Sequence, residues 1–220
     1  SRPFPGGIAL DITDSDAVRR CFDETNPDLV FVAVMPPGGA DYCETHPDEL
    51  GLLNVESTQT IAERAVDCGT KVVYYSSDYV FDGENGPYTE EDEPSPINAY
   101  GRSKLDAENL IQAICPDFLI IRTTAVFAWD RTSPNFAMQV WDRLQAGEPM
   151  KVPDDQIGNP TLASYLAEAS VRLVQQSETG IFNVVGNDLL PRSVLGKALA
   201  RAMALDQDLI EPVPTSALDQ

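Results

Sequence analysis

Tyr100 and Lys104 stand four residues apart in "PINAYGRSKLDAENLI" (Pro96–Ile111), and Ser77 closes the run "KVVYYSS" (Lys71–Ser77) upstream. Residues at i and i+4 of a helix share one face, so a phenol and an ammonium placed this way can point into the same crevice. A free tyrosine titrates at about pH 10, too high for efficient proton exchange at neutral pH. A nearby positive charge favours phenolate and lowers that value. A tyrosine tuned in this way gives a proton to a carbonyl oxygen or takes one from an alcohol, while a serine hydroxyl at an adjacent strand end holds the same oxygen. Carbonyl reduction then needs only a hydride, which no side chain supplies and a nicotinamide cofactor does. The spacing by itself is equally that of a solvated lysine beside a packed tyrosine, so its surroundings decide between the two.

Those surroundings alternate between strand-like and helix-like segments. "DITDSDAVRRCFDETNPD" offers Thr13 or Asp14 as an N-cap, then Val18 and Phe22 at helical spacing, then a stop at Pro27. "LVFVAV" (Leu29–Val34), Lys71–Ser77 and "FLIIRT" (Phe118–Thr123) are continuous apolar runs, the pattern of strands buried on both faces of a parallel sheet. Between them, Pro47–Cys68 reads as a helix closed by Gly69, and a Pro/Gly-rich loop precedes the helix that carries Tyr100. Beyond about Asp130 the pattern predicts helices over Ser133–Ala146, Thr161–Gln175 and Arg192–Ala204, with strands near Met150–Val152 and Ile181–Val185. The fold class is therefore α/β: a Rossmann-like parallel sheet over residues 1–130 and a small C-terminal substrate-binding lobe over 131–220, with segments interleaved. Ser76, Ser77 and Asp78 fall at a strand's C-terminal end, where such sheets bind ligands.

The 220 residues carry a formal net charge of −20 with the acidic residues spread along the chain. That argues against a sequence-independent nucleic-acid binder, which needs a basic face, and against docking on an anionic membrane. Two readings of the charge stay open: a carboxylate-rich surface kept soluble at high salt, or an ordinary acidic protein. Stability that falls as KCl is raised would exclude the first. Cys21, Cys43, Cys68 and Cys115 lie far apart without a CxxC, and His46 is the single histidine. A zinc site and a disulfide framework are not indicated, and reduced, partly buried thiols are expected. With neither a signal peptide nor a membrane-spanning run, the expected location is cytoplasmic.

The segment "YYSSDYVFDGENGPYTEEDEPSPINAYGRSKLDAEN" resembles the active-site region of the extended short-chain dehydrogenase/reductases, and within them the dTDP-dehydrorhamnose reductase branch. "LDITD", "LLNVESTQTIAERA", "IIRTTAVF" and "VPDDQIGNPT" resemble further segments of that branch, so the likeness covers nearly the whole chain. It implies roles by position. Ser77 would orient a sugar carbonyl, Tyr100 would be the acid/base, and Lys104 would lower its pKa and bind the nicotinamide ribose. Asp11 and Ile12 would contact adenine, Ala33 would line the cofactor, Asn54 would support the site, and Thr123 to Ala125 would face nicotinamide or sugar. Asp78, Asn135 and Gln156 would lie toward the nucleotide sugar. The implied cofactor is NADP or NAD, and a homodimer is the implied assembly.

Departures matter too. The family's opening strand, GxxGxxG turn, helix and second strand are not in this sequence, and Gly6-Gly7 and Gly38-Gly39 are isolated pairs. The expectation is a fragment of a longer protein with one edge of a central strand left open. Arg2 is placed where an arginine can pair with the 2′-phosphate of NADP. "MPPGGA" reshapes a loop beside the sugar site, and Ala125 stands where rhamnose enzymes tend to carry tryptophan. The leading reading is an NAD(P)H-dependent reductase of a nucleotide-linked 4-keto-6-deoxy sugar. The alternatives are a non-catalytic NADP-binding relative similar to the methionine adenosyltransferase beta subunit, or an epimerase or dehydratase of the same fold.

Overall fold

The computed structural model describes residues 6–36 and 38–218, with the side chains of residues 39–41 left aside; Arg2 and Pro37 lie outside the described residues. Two compact units are present, one comprising residues 1–122 with 174–183, the other residues 123–173 with 184–220. The division thus falls earlier than the boundary near residue 130 that the sequence pattern suggests, and a C-terminal strand returns to the first unit.

In chain order the elements are helix α1 (Ser15–Thr25), strand β1 (Leu29–Val32), helices α2 (Gly39–Thr45) and α3 (Pro47–Leu50), a π-helical turn (Gly51–Glu56), helix α4 (Ser57–Cys68), strand β2 (Lys71–Ser77), helix α5 (Ala99–Ile114), strands β3 (Phe118–Thr123) and β4 (Val126–Phe127), helix α6 (Phe136–Gln145), strands β5 (Met150–Pro153), β6 (Ile157–Gly158) and β7 (Thr161–Leu162), helix α7 (Ala163–Gln175), strands β8 (Gly180–Asn183) and β9 (Leu190–Pro191), helix α8 (Arg192–Ala202) and strand β10 (Ile210–Val213).

The first unit is built on a four-stranded sheet in the order β1-β2-β3-β8. β1 runs parallel to β2 with Val32 opposite Tyr74, and β3 runs parallel to β8 with Ile120 opposite Ile181. Val18 and Phe22 of α1, Ile61, Ala62 and Ala65 of α4, and Ala107 and Ile111 of α5 form one core with Val32, Val72, Tyr74 and Ile120 of the sheet. The alanines let the helices approach closely, and burial of each large aliphatic side chain contributes about 1.5–3 kcal/mol. α1 starts where Asp14 accepts the amide of Ala17 at 3.0 Å, and it stops at Asn26, whose φ of 41° turns the chain out of the helix before Pro27. α4 ends on Gly69 at φ 69°, the left-handed position that glycine occupies without penalty.

Two expectations change here. The helix expected over Pro47–Cys68 is one continuous path but contains the π-helical turn Gly51–Glu56, and buried Asn54 sits inside it. β1 is not buried on both faces as its sequence suggests: Phe31 is 39% exposed. Among the described residues β2 is its only sheet neighbour, so less of β1 is covered than of β2 and β3. An apolar cavity of about 280 Å³ runs beside β1, lined by Leu10, Ile12, Val18, Phe22 and Val30 among others.

In the second unit β5 and β10 pair in parallel, and α6 and α8 close over them through Val140, Leu144, Val152, Ala200 and Ile210. Two short ladders, β4 with β7 and β6 with β9, complete it. No helix among the described residues is long and apolar enough to cross a membrane.

Candidate active site

Ser77 is the last residue of β2, and its hydroxyl is fixed locally. It accepts the amide of Tyr79 at 3.3 Å, capping a short 3₁₀ turn, and donates to the Asp78 carboxylate at 2.9 Å. After the loop, Asn98 caps α5 by accepting the amide of Gly101 at 2.7 Å. A Cβ on Gly101 would lie 2.0 Å from the Tyr79 carbonyl oxygen. Glycine at this position is therefore what allows the first turn of α5 to lie against the backbone just past Ser77. Tyr100 consequently meets Tyr79 edge-on, with ring centres 5.5 Å apart, and its phenol hydrogen-bonds Ser77. The phenol also lies 3.8 Å from the Met35 sulfur.

Lys104 follows one turn later and is 3% exposed. Its ammonium donates to the Tyr75 carbonyl at 2.8 Å and to the Tyr74 hydroxyl at 3.1 Å, and it stands 5.9 Å from the centre of the Tyr100 ring. One further turn brings Glu108, fully buried, which takes Arg122 of β3 in a two-pronged ion pair at 3.0 and 2.6 Å. Asn54 reaches α5 from the π-helical turn, donating to the Ser103 hydroxyl at 3.0 Å; that hydroxyl in turn donates to the Tyr100 carbonyl at 2.8 Å.

The electrostatics depart from the sequence expectation. Lys104 was expected to lower the Tyr100 pKa, yet the phenol is pushed well above its ordinary value. Burial is the main cause, followed by the Asp78 carboxylate and Cys43; the Ser77 hydrogen bond acts in the opposite direction. Burial also drives the Lys104 ammonium down to about 8, with Glu108 opposing. A buried charge loses its hydration, and that is the largest cause for both groups; Lys104 directs its hydrogens at Tyr74 and Tyr75 rather than at the Tyr100 phenol.

The first unit thus brings Ser77, Asp78, Tyr100, Lys104 and Asn54 together around the C-terminal end of β2. Asp11, Ile12 and Ala33 belong to the same unit but to its β1 side. Asp11 is exposed and accepts both the amide and the hydroxyl of Thr13, at 3.0 and 2.8 Å, in the turn that leads into α1. Ile12 packs on the core, and Ala33 is exposed just past β1. The remaining expected residues are in the second unit. Thr123, the last residue of β3, is buried with its hydroxyl unpartnered among the described residues. Ala125 is exposed and holds a left-handed φ of 45°. Asn135 caps α6 by accepting the amide of Ala137 at 3.1 Å, while its side-chain nitrogen is buried without a partner among the described residues. Gln156 is exposed, and its carbonyl accepts the amide of Arg192 at 2.9 Å. Tyr74, Glu108 and Arg122 were not singled out from sequence. Tyr74 hides within an apolar run, and the Glu108–Arg122 pair joins a helix to a strand with no local signature. Among the described residues no cluster of three or more His, Cys, Asp or Glu side chains is arranged to hold a metal.

Known proteins resemble this chain over most of its length. A reductase described as a probable low-salt glycan biosynthesis reductase, Agl14, of Haloferax volcanii is 33% identical over 96% of this chain and 71% of its own length. The dTDP-4-dehydrorhamnose reductase of Salmonella typhimurium is 32% identical over 94% of this chain and 72% of its own. Methionine adenosyltransferase 2 subunit beta of Rattus norvegicus is 30% identical over 98% of this chain and 66% of its own. A crystal structure of dTDP-4-dehydrorhamnose reductase from Bacillus anthracis, in complex with NADP, superposes with a TM-score of 0.89 at 26% identity, over 94% of this chain and 73% of that one. The sequence matches the RmlD substrate binding domain over residues 5–220, and the chain belongs to that family.

Proposed function

We propose that this chain belongs to an NADPH-dependent reductase of a nucleotide-linked 4-keto-6-deoxy sugar. The observation that carries this reading is the Ser77–Tyr100 hydrogen bond backed by buried Lys104, in a chain whose relatives include sugar-nucleotide reductases. The cofactor reading also has support among the residues. The Lys104 ammonium has three N–H donors and two protein acceptors, while Ser76 at the same strand end keeps a buried hydroxyl without a partner among the described residues. A ribose hydroxyl at the end of β2 would suit both groups. When bound, the nicotinamide supplies the hydride.

The chain's own part is the proton and its placement. Ser77, turning its one hydroxyl hydrogen from Asp78 to the substrate, holds the carbonyl oxygen beside the phenol, and Tyr100 delivers its proton as that oxygen becomes an alkoxide. A phenol whose pKa burial has raised is securely protonated at neutral pH and so suits a proton donor. Lys104 supplies positive charge behind the phenol as negative charge develops there. Asp78, Ala125, Asn135 and Gln156 are assigned to the sugar-nucleotide side.

NADPH oxidation followed with a dTDP-linked 4-keto sugar tests the reading. Tyr100→Phe should lower kcat/KM by about 10²–10⁴-fold with an unchanged circular-dichroism melt; a variant of near-normal rate would sink the assignment. The likeness to the methionine adenosyltransferase subunit favours a second reading, a binding subunit. Capture of a synthetase partner, with no NADPH oxidation on any nucleotide sugar, would select it.

A further inference from the structure

The buried ammonium of Lys104 is held by a side chain from another element. Tyr74 lies on β2 and is 2% exposed. Its hydroxyl accepts from Lys104 at 3.1 Å, and the ammonium stands 4.5 Å from the centre of its ring. Among the described residues, the other oxygen that meets the ammonium is the Tyr75 carbonyl. We propose that Tyr74 is a positioning residue for Lys104: hydroxyl and ring clamp the ammonium at the end of β2 and hold its charge behind the Tyr100 phenol.

The charges around the clamp explain why a neutral phenol is needed there. Glu108, on α5, faces Lys104 from one turn away, but both its oxygens are engaged by Arg122 of β3. The buried group therefore holds two cations and one anion. Tyr100 faces Lys104 on α5 itself, with Asp78 beyond β2 and Cys43 of α2 acting on Tyr100. Among the described residues Lys104 gives its hydrogens to two uncharged oxygens, while the shared Glu108 carboxylate favours its charged form from one turn away. Burial has already brought it down to about 8, within reach of physiological pH. Tyr74 itself is held protonated, since burial first, then Tyr100 and Glu108, push its pKa well up. It therefore remains a neutral partner across the working range. Loss of a hydrogen bond to the charged form lowers the pKa of a lysine further.

For its bearing on catalysis this inference rests on the reductase reading; for the state of Lys104 it does not. Tyr74→Phe keeps the ring and removes the hydroxyl. The chain has four lysines, so isotope labelling at the lysine side chains gives four NMR titrations, and Lys104→Met assigns the one that matters. In Tyr74→Phe the Lys104 titration should fall by about one pH unit, while Lys71, Lys151 and Lys197 stay in place. The pH profile of kcat/KM should move by the same amount, with the sugar KM unchanged. An unmoved Lys104 titration overturns the clamp, whether or not the protein reduces sugars. A moved titration in a protein without reductase activity upholds the clamp and removes only the functional reading. If Tyr74→Phe alters all four lysines together, 3-fluorotyrosine placed at position 74 gives the decisive measurement: a weaker acceptor in the same shape should lower the Lys104 titration alone, and no change there overturns the proposal.

Discussion

The end of β2 and the loops that open the second unit differ in how firmly their polar groups are fixed. Around β2 and α5, Lys104, Glu108, Arg122, Asn54 and Ser103 are all buried: Lys104 is held by Tyr74 and Tyr75, Glu108 by Arg122, and Ser103 by Asn54. In the second unit Ala125 and Gln156 are exposed, and Asn135 keeps one donor unused. Proton transfer needs groups locked to a fraction of an ångström, and burial with paired neighbours achieves that. Recognition of a particular sugar nucleotide needs groups still free to accept a ligand. Substitutions that unpair the buried charged groups of the first region should therefore disturb stability and rate together, while those in the second should disturb binding with the fold intact.

The most severe way to break this contrast is to unpair the buried ions. Glu108→Ala would leave Arg122 charged and buried, with the Phe81 ring 5.1 Å away as its remaining contact among the described residues. Removal of one partner of a buried pair costs about 3–5 kcal/mol, so urea unfolding should show a loss of that order. A loss below about 1 kcal/mol would mean the region is less tightly determined than its geometry suggests.

A somewhat smaller effect follows from Lys104 and pH. Its folded-state pKa, about 8, lies below the ordinary lysine value of 10.5. Between those two values the unfolded chain binds more protons than the folded one, so stability rises with pH across that window. Below about pH 8 the full cost of the buried charge is present. Lys104→Met removes this contribution and leaves the other titrations in place. The difference in unfolding free energy between the chain and the variant should shift toward the wild-type chain by about 3 kcal/mol from pH 7 to pH 10.5. A pH-independent difference would show that the ammonium is better solvated than its 3% exposure implies.

Local patterns carried much of this molecule in readable form. "KVVYYSS" is β2 from end to end, Gly69 closes α4, and Asp14 caps α1, because each depends on residues within a turn or a strand of one another. The shared face of Tyr100 and Lys104, with the ammonium 5.9 Å from the ring centre, was legible for the same reason. Helix α2 was not legible: it opens on Gly38-Gly39, which reads as a loop. The two-residue ladders β4–β7 and β6–β9 are too short for any periodicity to announce them. Partnerships across long stretches of chain, such as Tyr74 with Lys104 or Asn54 with Ser103, leave no local trace at all. The direction of the Tyr100 pKa was missed because the sequence shows a cation four residues away but not the depth at which both groups lie.

The smallest expected effect gives the sharpest test of the second region. Asn135 does two separable things: its oxygen caps α6, and its nitrogen is an unused donor. Asn135→Ala removes both, and loss of a cap costs about 1 kcal/mol. Asn135→Asp separates them. A carboxylate caps as well as an amide and suits the positive end of the helix, so the melting temperature should stay level or rise slightly. The donor, however, is gone, and a negative charge now faces whatever that nitrogen was meant to meet. If that is the nucleotide sugar with its phosphates, KM should rise about tenfold, equivalent to about 1.4 kcal/mol, with kcat little changed. An unaltered KM in Asn135→Asp would confine Asn135 to its role as a helix cap. Under the reductase reading the sugar nucleotide would then be met by other residues, and the contrast between a locked region and a receptive one would lose its strongest member.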